Sequence, residues 1–279
     1  MKLKKTVLAA ALAVAAPASF AATLWLPAPG ALYGSLSYVH QAADQFFLGS
    51  QESALADDLE LDSYLVDLSY GLFETVAVYG QLGSAQSTFQ PAGENDRGST
   101  DTRLGVAWTV LDEFDAFAMP DTWRPTVTLR AAAIIEGDYD AGRIDAVGDG
   151  GSGFEFGASV GRVLVPQFAV YGDLGYRTRA DRVPADVFAG VGASWSLPYN
   201  VALALGYEYN DSQGELDIGG PGFSPDRYPE VEEDRSLLTG SLNWAFARHF
   251  AAALNYGQVL DGRNTPKSDV FGIALGTSF

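Results

Sequence analysis

From about residue 31 to the end, the chain alternates apolar positions with small or polar ones at period two. The final segment is the plainest. Phe271, Ile273, Leu275 and Phe279 are apolar at alternate positions, with Thr277 the one exception, and Gly272, Ala274, Gly276 and Ser278 lie between them. Val201, Leu203, Leu205, Tyr207 and Tyr209 repeat the pattern, as do Leu104, Val106, Trp108 and Val110, and Tyr64, Val66, Leu68, Tyr70 and Leu72. Such alternation places one strand face in an apolar medium and the other in a tight or wet one. It predicts twelve strands, near 31–42, 60–71, 75–87, 100–110, 125–136, 153–164, 167–179, 185–197, 200–211, 235–246, 249–260 and 268–279.

The connections alternate in length. Short turns fall at 73–74, 164–166, 198–199 and 247–248, and longer polar stretches at 43–59, 88–99, 137–152 and 212–234. An even strand count, with short turns at one end and long loops at the other, is the plan of an all-β, transmembrane antiparallel up-and-down β-barrel of the bacterial outer membrane. One connection departs from it: residues 111–124 lie on the short side yet are long, which suggests an interfacial turn of helix. The rival is a soluble β-sandwich, which also alternates. Against it stand bulky Leu, Val and Tyr on one face and mostly Gly, Ala and Ser on the other. The aromatics also sort by height: Trp25, Trp108, Trp123, Trp195 and Trp244 near the short turns, and Tyr38, Tyr64, Tyr176, Tyr207 and Tyr209 towards the long loops. Two such belts match the two interfaces of a bilayer.

The first residues set the compartment. Lys2, Lys4 and Lys5 precede an unbroken apolar run from Val7 to Ala16, Pro17 ends it, and Ser19 and Ala21 are small residues ahead of a cut before Ala22. This is the architecture of an export signal, and the run is too short to span about 30 Å of hydrocarbon as a helix. The expected organisation is a signal peptide at 1–21 and a barrel at 22–279. The formal charge of −18 gives no electrostatic reason to bind nucleic acid. The absence of cysteine removes disulfides, thiolate metal sites and cysteine nucleophiles.

With the small and polar face turned inward, Asp67, Arg103, Arg130, Glu136, Glu155, Asp173, Arg177 and Glu208 point into the lumen. A tight turn at 164–167 brings Glu155 opposite Arg177, and Arg103, Glu136, Glu155 and Arg177 form a ladder across four strands. Such a ladder serves as a constriction that screens solutes, or as a salt-bridge network that lets a narrow barrel bury its charges in pairs. Inward glycines leave room in the lumen, unless Leu65, Ile134 and Phe188 fill it. Twelve strands lie between barrels filled by side chains and wide aqueous pores.

The outer loops are acidic. Residues 44–62 hold Asp44, Glu52, Asp57, Asp58, Glu60 and Asp62 without a Lys or Arg. Asp138, Asp140, Gly142 and Asp145 faintly suggest a calcium loop, but the glycine is misplaced and Asp149 stands where Glu is expected; a solvated, self-repelling loop is the simpler reading. No metal or cofactor is assigned. His40 and His249 are predicted at opposite ends and no G-x-S-x-G occurs, so no catalytic residue is assigned and an enzyme is not expected.

The stretch Leu24-Trp25-Leu26-Pro27, then Gly30-Ala31-Leu32-Tyr33 and Phe46-Phe47, resembles the opening of the outer-membrane proteins named for the meta-cleavage pathway of phenol degradation. The hairpin from Tyr70 through Gly71, Leu72, Phe73, Glu74, Thr75, Val76 and Ala77 to Val78 is similar to that family's turn between its second and third strands. The resemblance implies a barrel passing small, often apolar or aromatic molecules; it transfers no site residues. The expected function is a channel for passive passage of small solutes. The alternative is a closed structural or surface-interaction barrel whose acidic loops bind cations or a partner. Expected partners are membrane lipid, lipopolysaccharide through divalent ions, the barrel-assembly machinery through Phe279, and the solutes.

Overall fold

The computed structural model describes residues 24–93, 95–115 and 123–279. The signal at 1–21 lies outside the described residues, as do residues 116–122 of the stretch 111–124 in which a helical turn is expected. The alternating segments form β1 (Leu32–Leu48), β2 (Gln51–Phe73), β3 (Val76–Thr88), β4 (Arg97–Ser99), β5 (Thr102–Leu111), β6 (Thr126–Ile135), β7 (Gly153–Val165), β8 (Phe168–Arg179), β9 (Asp186–Leu197), β10 (Val201–Ser212), β11 (Asp234–Ala247), β12 (Phe250–Arg263) and β13 (Asp269–Ser278). Each pairs antiparallel with its sequence neighbours, except that β4 and β5 both lie along β3 and share one position. Pairing of β1 with β13 closes the ring. The result is a twelve-stave barrel, whose closure leaves no open edge.

The outward face shows why this ring belongs in lipid. Leu36, Leu104, Leu174, Leu205 and Leu275 are all more than half exposed, and Trp108, Trp195 and Trp244 ring the short-turn end. An apolar side chain left in water forgoes about 1.5–3 kcal/mol of burial, so dozens of them rule out a soluble sandwich. Trp25 leaves the expected belt, because residues 24–30 form no strand. Among the described residues no helix is long and apolar enough to cross a membrane; the strands do so.

One expected loop is largely sheet. Residues 43–59 continue β1 and β2 as a projecting hairpin that turns at Gly49, whose φ of 55° suits glycine. The register jumps between Ala43 and Gln45, and residues 55–58 bulge opposite Asp44. The acidic side chains read as loop because both faces of the hairpin project beyond the membrane and no alternation is enforced. Its Phe47 folds back onto Leu237 and Val259 and is 2% exposed. The stretch 88–99 also carries structure, a 3₁₀ turn at Gln90–Ala92 and the short β4.

Candidate functional site

Strand parity puts Thr126, Thr128 and Arg130 of β6, Glu155 and Ser159 of β7, and Asp173 and Arg177 of β8 on the luminal face, all but Arg177 buried. Arg130 binds both oxygens of Asp173 through its two terminal nitrogens and donates to Ser159 at 3.0 Å. Its Nε is 3.5 Å from Glu155. The Arg130 and Asp173 side chains are 3% and 2% exposed, and a bidentate pair satisfies two buried charges at once. Arg177 bridges Glu155 at 3.1 Å and Asp186 at 3.4 Å. Phe188 lies beneath both guanidinium groups, 5.4 Å from Arg130 and 5.3 Å from Arg177.

Glu155 and Arg177 are direct cross-strand partners, as the tight turn predicts. The ladder loses one rung, however. β6 ends at Ile135, so Glu136 stands exposed at the start of the outer loop, where its backbone N–H meets Ser152. Asp67 accepts from Ser35 and Gln81. Glu208 borders the outer part of the lumen. Arg103 has no ion pair within 4 Å among the described residues, a trait it shares with Arg235 at the outer cavity, and its buried Nε, like that of Arg179, has no hydrogen-bond partner.

The inward glycines seat large side chains instead of standing empty. Tyr79 lies opposite Gly105, Arg130 opposite Gly157, Tyr171 opposite Gly192, and Phe188 opposite Gly175. In each pair a Cβ on the glycine would strike the facing side chain. These bulky groups therefore lie flat along the wall. An inner cavity of about 800 Å³ and an outer one of about 440 Å³ lie along the lumen, and Arg103 borders both. Thus Arg103 stands where they meet.

Each mouth is partly covered. At the inner end residues 24–30 cross from one wall to the other. Leu24 is fully buried, its carbonyl accepts from Thr128 at 2.8 Å, and its side chain packs on Gly161. Trp25 donates to Glu113 at 3.2 Å, and Pro29 bridges Gly71. At the outer end the loop between β10 and β11 is clamped by Arg263, which holds Asp217 at 2.8 and 2.9 Å and Glu232 at 3.1 Å. Asn264 adds a bond to Asp217 at 2.9 Å. The bonds from Arg263 and Asn264 hold the Asp217 carboxyl below the usual carboxylate range, against the opposing effect of burial.

The faint calcium stretch spends its carboxylates elsewhere. Asp145 binds Arg143 and Ser87, and Asp140 accepts from the Gly142 backbone. Among the described residues no group of three His, Cys, Asp or Glu side chains converges on a point. His40 pairs with Asp62 on the outward face at 2.9 Å, and His249 binds the Ser278 carbonyl. Sequence reasoning missed Arg179, which binds Asp101 and Asp149, and also Asp186, Tyr79 and the inner-mouth segment. Parity placed Arg177 and Arg179 together on one face of β8, so Arg179 was within reach of the same argument.

No protein-family model matches the chain, and no curated protein matches it in sequence. Solved structures do match in fold. A crystal structure of an outer-membrane channel from Pseudomonas putida F1 superposes with a TM-score of 0.73, at 14% identity, over 94% of this chain and 100% of that one. The NanC porin gives 0.52 at 9% identity over 86% and 98% of the two chains. The KdgM porin gives 0.50 at 7% identity over 88% and 99%. At these identities the likeness is one of fold, and that fold is a closed outer-membrane barrel.

Proposed function

We propose that this chain is a bacterial outer-membrane channel for passive passage of small solutes. The observation that carries the reading is the pair of cavities meeting at Arg103, inside a closed ring whose large inward side chains lie flat on facing glycines. Asp67, Arg103, Arg130, Glu155, Asp173, Arg177 and Glu208 line or brace this path, and Glu136 stands at its outer rim. Arg130 and Asp173 act mainly as the brace, because their charges neutralise each other out of solvent. The inner cavity, with Val39, Leu65, Leu237 and Val270 on its wall, suits apolar or aromatic solutes. This agrees with the resemblance of the Leu24–Pro27 and Tyr70–Val78 segments to the phenol meta-cleavage family. The known channels and porins of this fold are transport proteins, and we assign no catalysis to the chain. We extend the reading to removal of residues 1–21 on export, to recognition of Phe279 by the assembly machinery, and to contact of the acidic loops with lipopolysaccharide through divalent ions.

The test is single-channel recording of the refolded mature protein in a planar bilayer. Discrete steps whose size follows salt concentration are expected. A correctly inserted but silent barrel would overturn the reading in favour of a closed structural barrel, which the segment across the inner mouth otherwise favours.

A further inference from the structure

The channel reading leaves open which chemical class the lumen recognises, and Arg103 bears on this directly. Arg130, Arg177 and Arg179 each bind one or more carboxylates. Glu155 is shared between Arg130 and Arg177, and Arg103 makes no ion pair. A buried guanidinium nitrogen left without an acceptor is costly, and the planar fork favours a carboxylate above other acceptors.

A second orphan stands beside it. The hydroxyl of Tyr79 is buried and has no partner. Tyr79 and Arg103 are a diagonal pair on β3 and β5, since Tyr79 faces Gly105 and Gln81 faces Arg103. Diagonal neighbours are about 7–8 Å apart at the backbone, within reach of long side chains. The phenol oxygen lies 2.6 Å from where a Cβ on residue 105 would stand, so glycine at 105 is what lets the ring lie flat over β5, two residues along the strand from Arg103. Both side chains border the inner cavity, whose wall carries Val39, Leu65 and Leu237 together with Asp67, Glu155 and Arg130, the last two paired with each other. At about 800 Å³ this space falls in the range of small-molecule sites.

Resting on the channel reading, we propose that Arg103 and Tyr79 form a carboxylate-reading station within it, selecting small monocarboxylates with an apolar or aromatic body. The guanidinium and the phenol donate to the carboxylate oxygens, and the apolar body occupies the inner cavity. The acidic outer loops do not forbid this, because exposed charges are screened beyond about 8 Å at physiological salt.

The experiment is isothermal titration of the refolded full mature chain in detergent with benzoate and with benzamide, the same ring with and without the charge. Benzoate is expected to bind at least about tenfold more tightly, the scale of one charge-assisted bond. In Arg103→Gln the ratio of the two constants falls towards one, and Arg103→Lys, which keeps charge but loses the fork, is intermediate. Heat-dependent gel mobility identifies folded barrels. Should Arg103→Gln not fold, Tyr79→Phe carries the test, weakening benzoate more than benzamide. Equal binding of the two ligands by the unaltered protein, or an unchanged ratio in a folded variant, overturns the proposal. Bilayer recording separates the two readings: conduction without benzoate preference defeats the station alone, and preference without conduction defeats the channel alone.

Discussion

Arg130 shows how one residue exchanges a role in transport for a role in architecture. Parity alone makes it a lining charge. Its place between Asp173, Ser159, Glu155 and the ring of Phe188 makes it a brace between β6 and β8 across β7. Breaking a buried pair costs more than the pair contributes, because the surviving charge is left without its partner. Asp173→Ala is therefore expected to lower the unfolding free energy by about 3–5 kcal/mol, read by urea titration in micelles. A change near zero would mean that water reaches Arg130 freely. The same residue scale shows where inference from sequence stops. The facing of Glu155 and Arg177 follows from a tight turn, which fixes register. That Arg103 makes no ion pair within 4 Å among the described residues follows only from where Glu155 spends its two oxygens, and no spacing in the chain encodes that choice.

At the scale of elements, the strands were legible because lipid enforces alternation along every membrane-spanning segment, and the expected segments stand within a few residues of their places except where β1 and β2 run on beyond the membrane. Where lipid stops, so does the signal. The hairpin beyond Ala42 and Glu60 pairs as sheet although its charges suggest a free loop, and β6 gives out at Ile135, one residue before the expected rung at Glu136. The loop between β10 and β11 is likewise ordered by side chains distant in sequence, Arg263 and Asn264. Because these hold the folded carboxyl of Asp217 below its unfolded value, their contribution is present above about pH 3.9. It is lost as pH falls through the folded value. A fluorescent probe at residue 219 is expected to stay immobile from neutral to mildly acid solution and to loosen only in stronger acid. In Asp217→Asn it should already be looser at neutrality.

On the scale of the whole molecule, the barrel is a tube with a dividing level and two partial covers. The inner cover was illegible because Leu24 to Pro29 has no periodicity and its seats lie on Thr128, Gly161, Glu113 and Gly71. Deleting residues 24–30 from the mature chain is expected to raise single-channel conductance severalfold. An unchanged value would place the limiting cross-section at the level of Arg103. The shape of the tube also bears on its oligomeric independence, since the ring closes on itself and needs no second copy to satisfy its edges.

The crossing segment also ties the inner cover to the seam of the ring. Its start lies against β6 and β7 while its end leads into β1, the strand that seals the ring against β13. The inner cover and the seam are thus one continuous stretch of chain, so a pull on the segment is a pull on the strand that seals the ring. A purification handle therefore belongs on a surface loop such as 219–222, away from the stretch that leads into the seam.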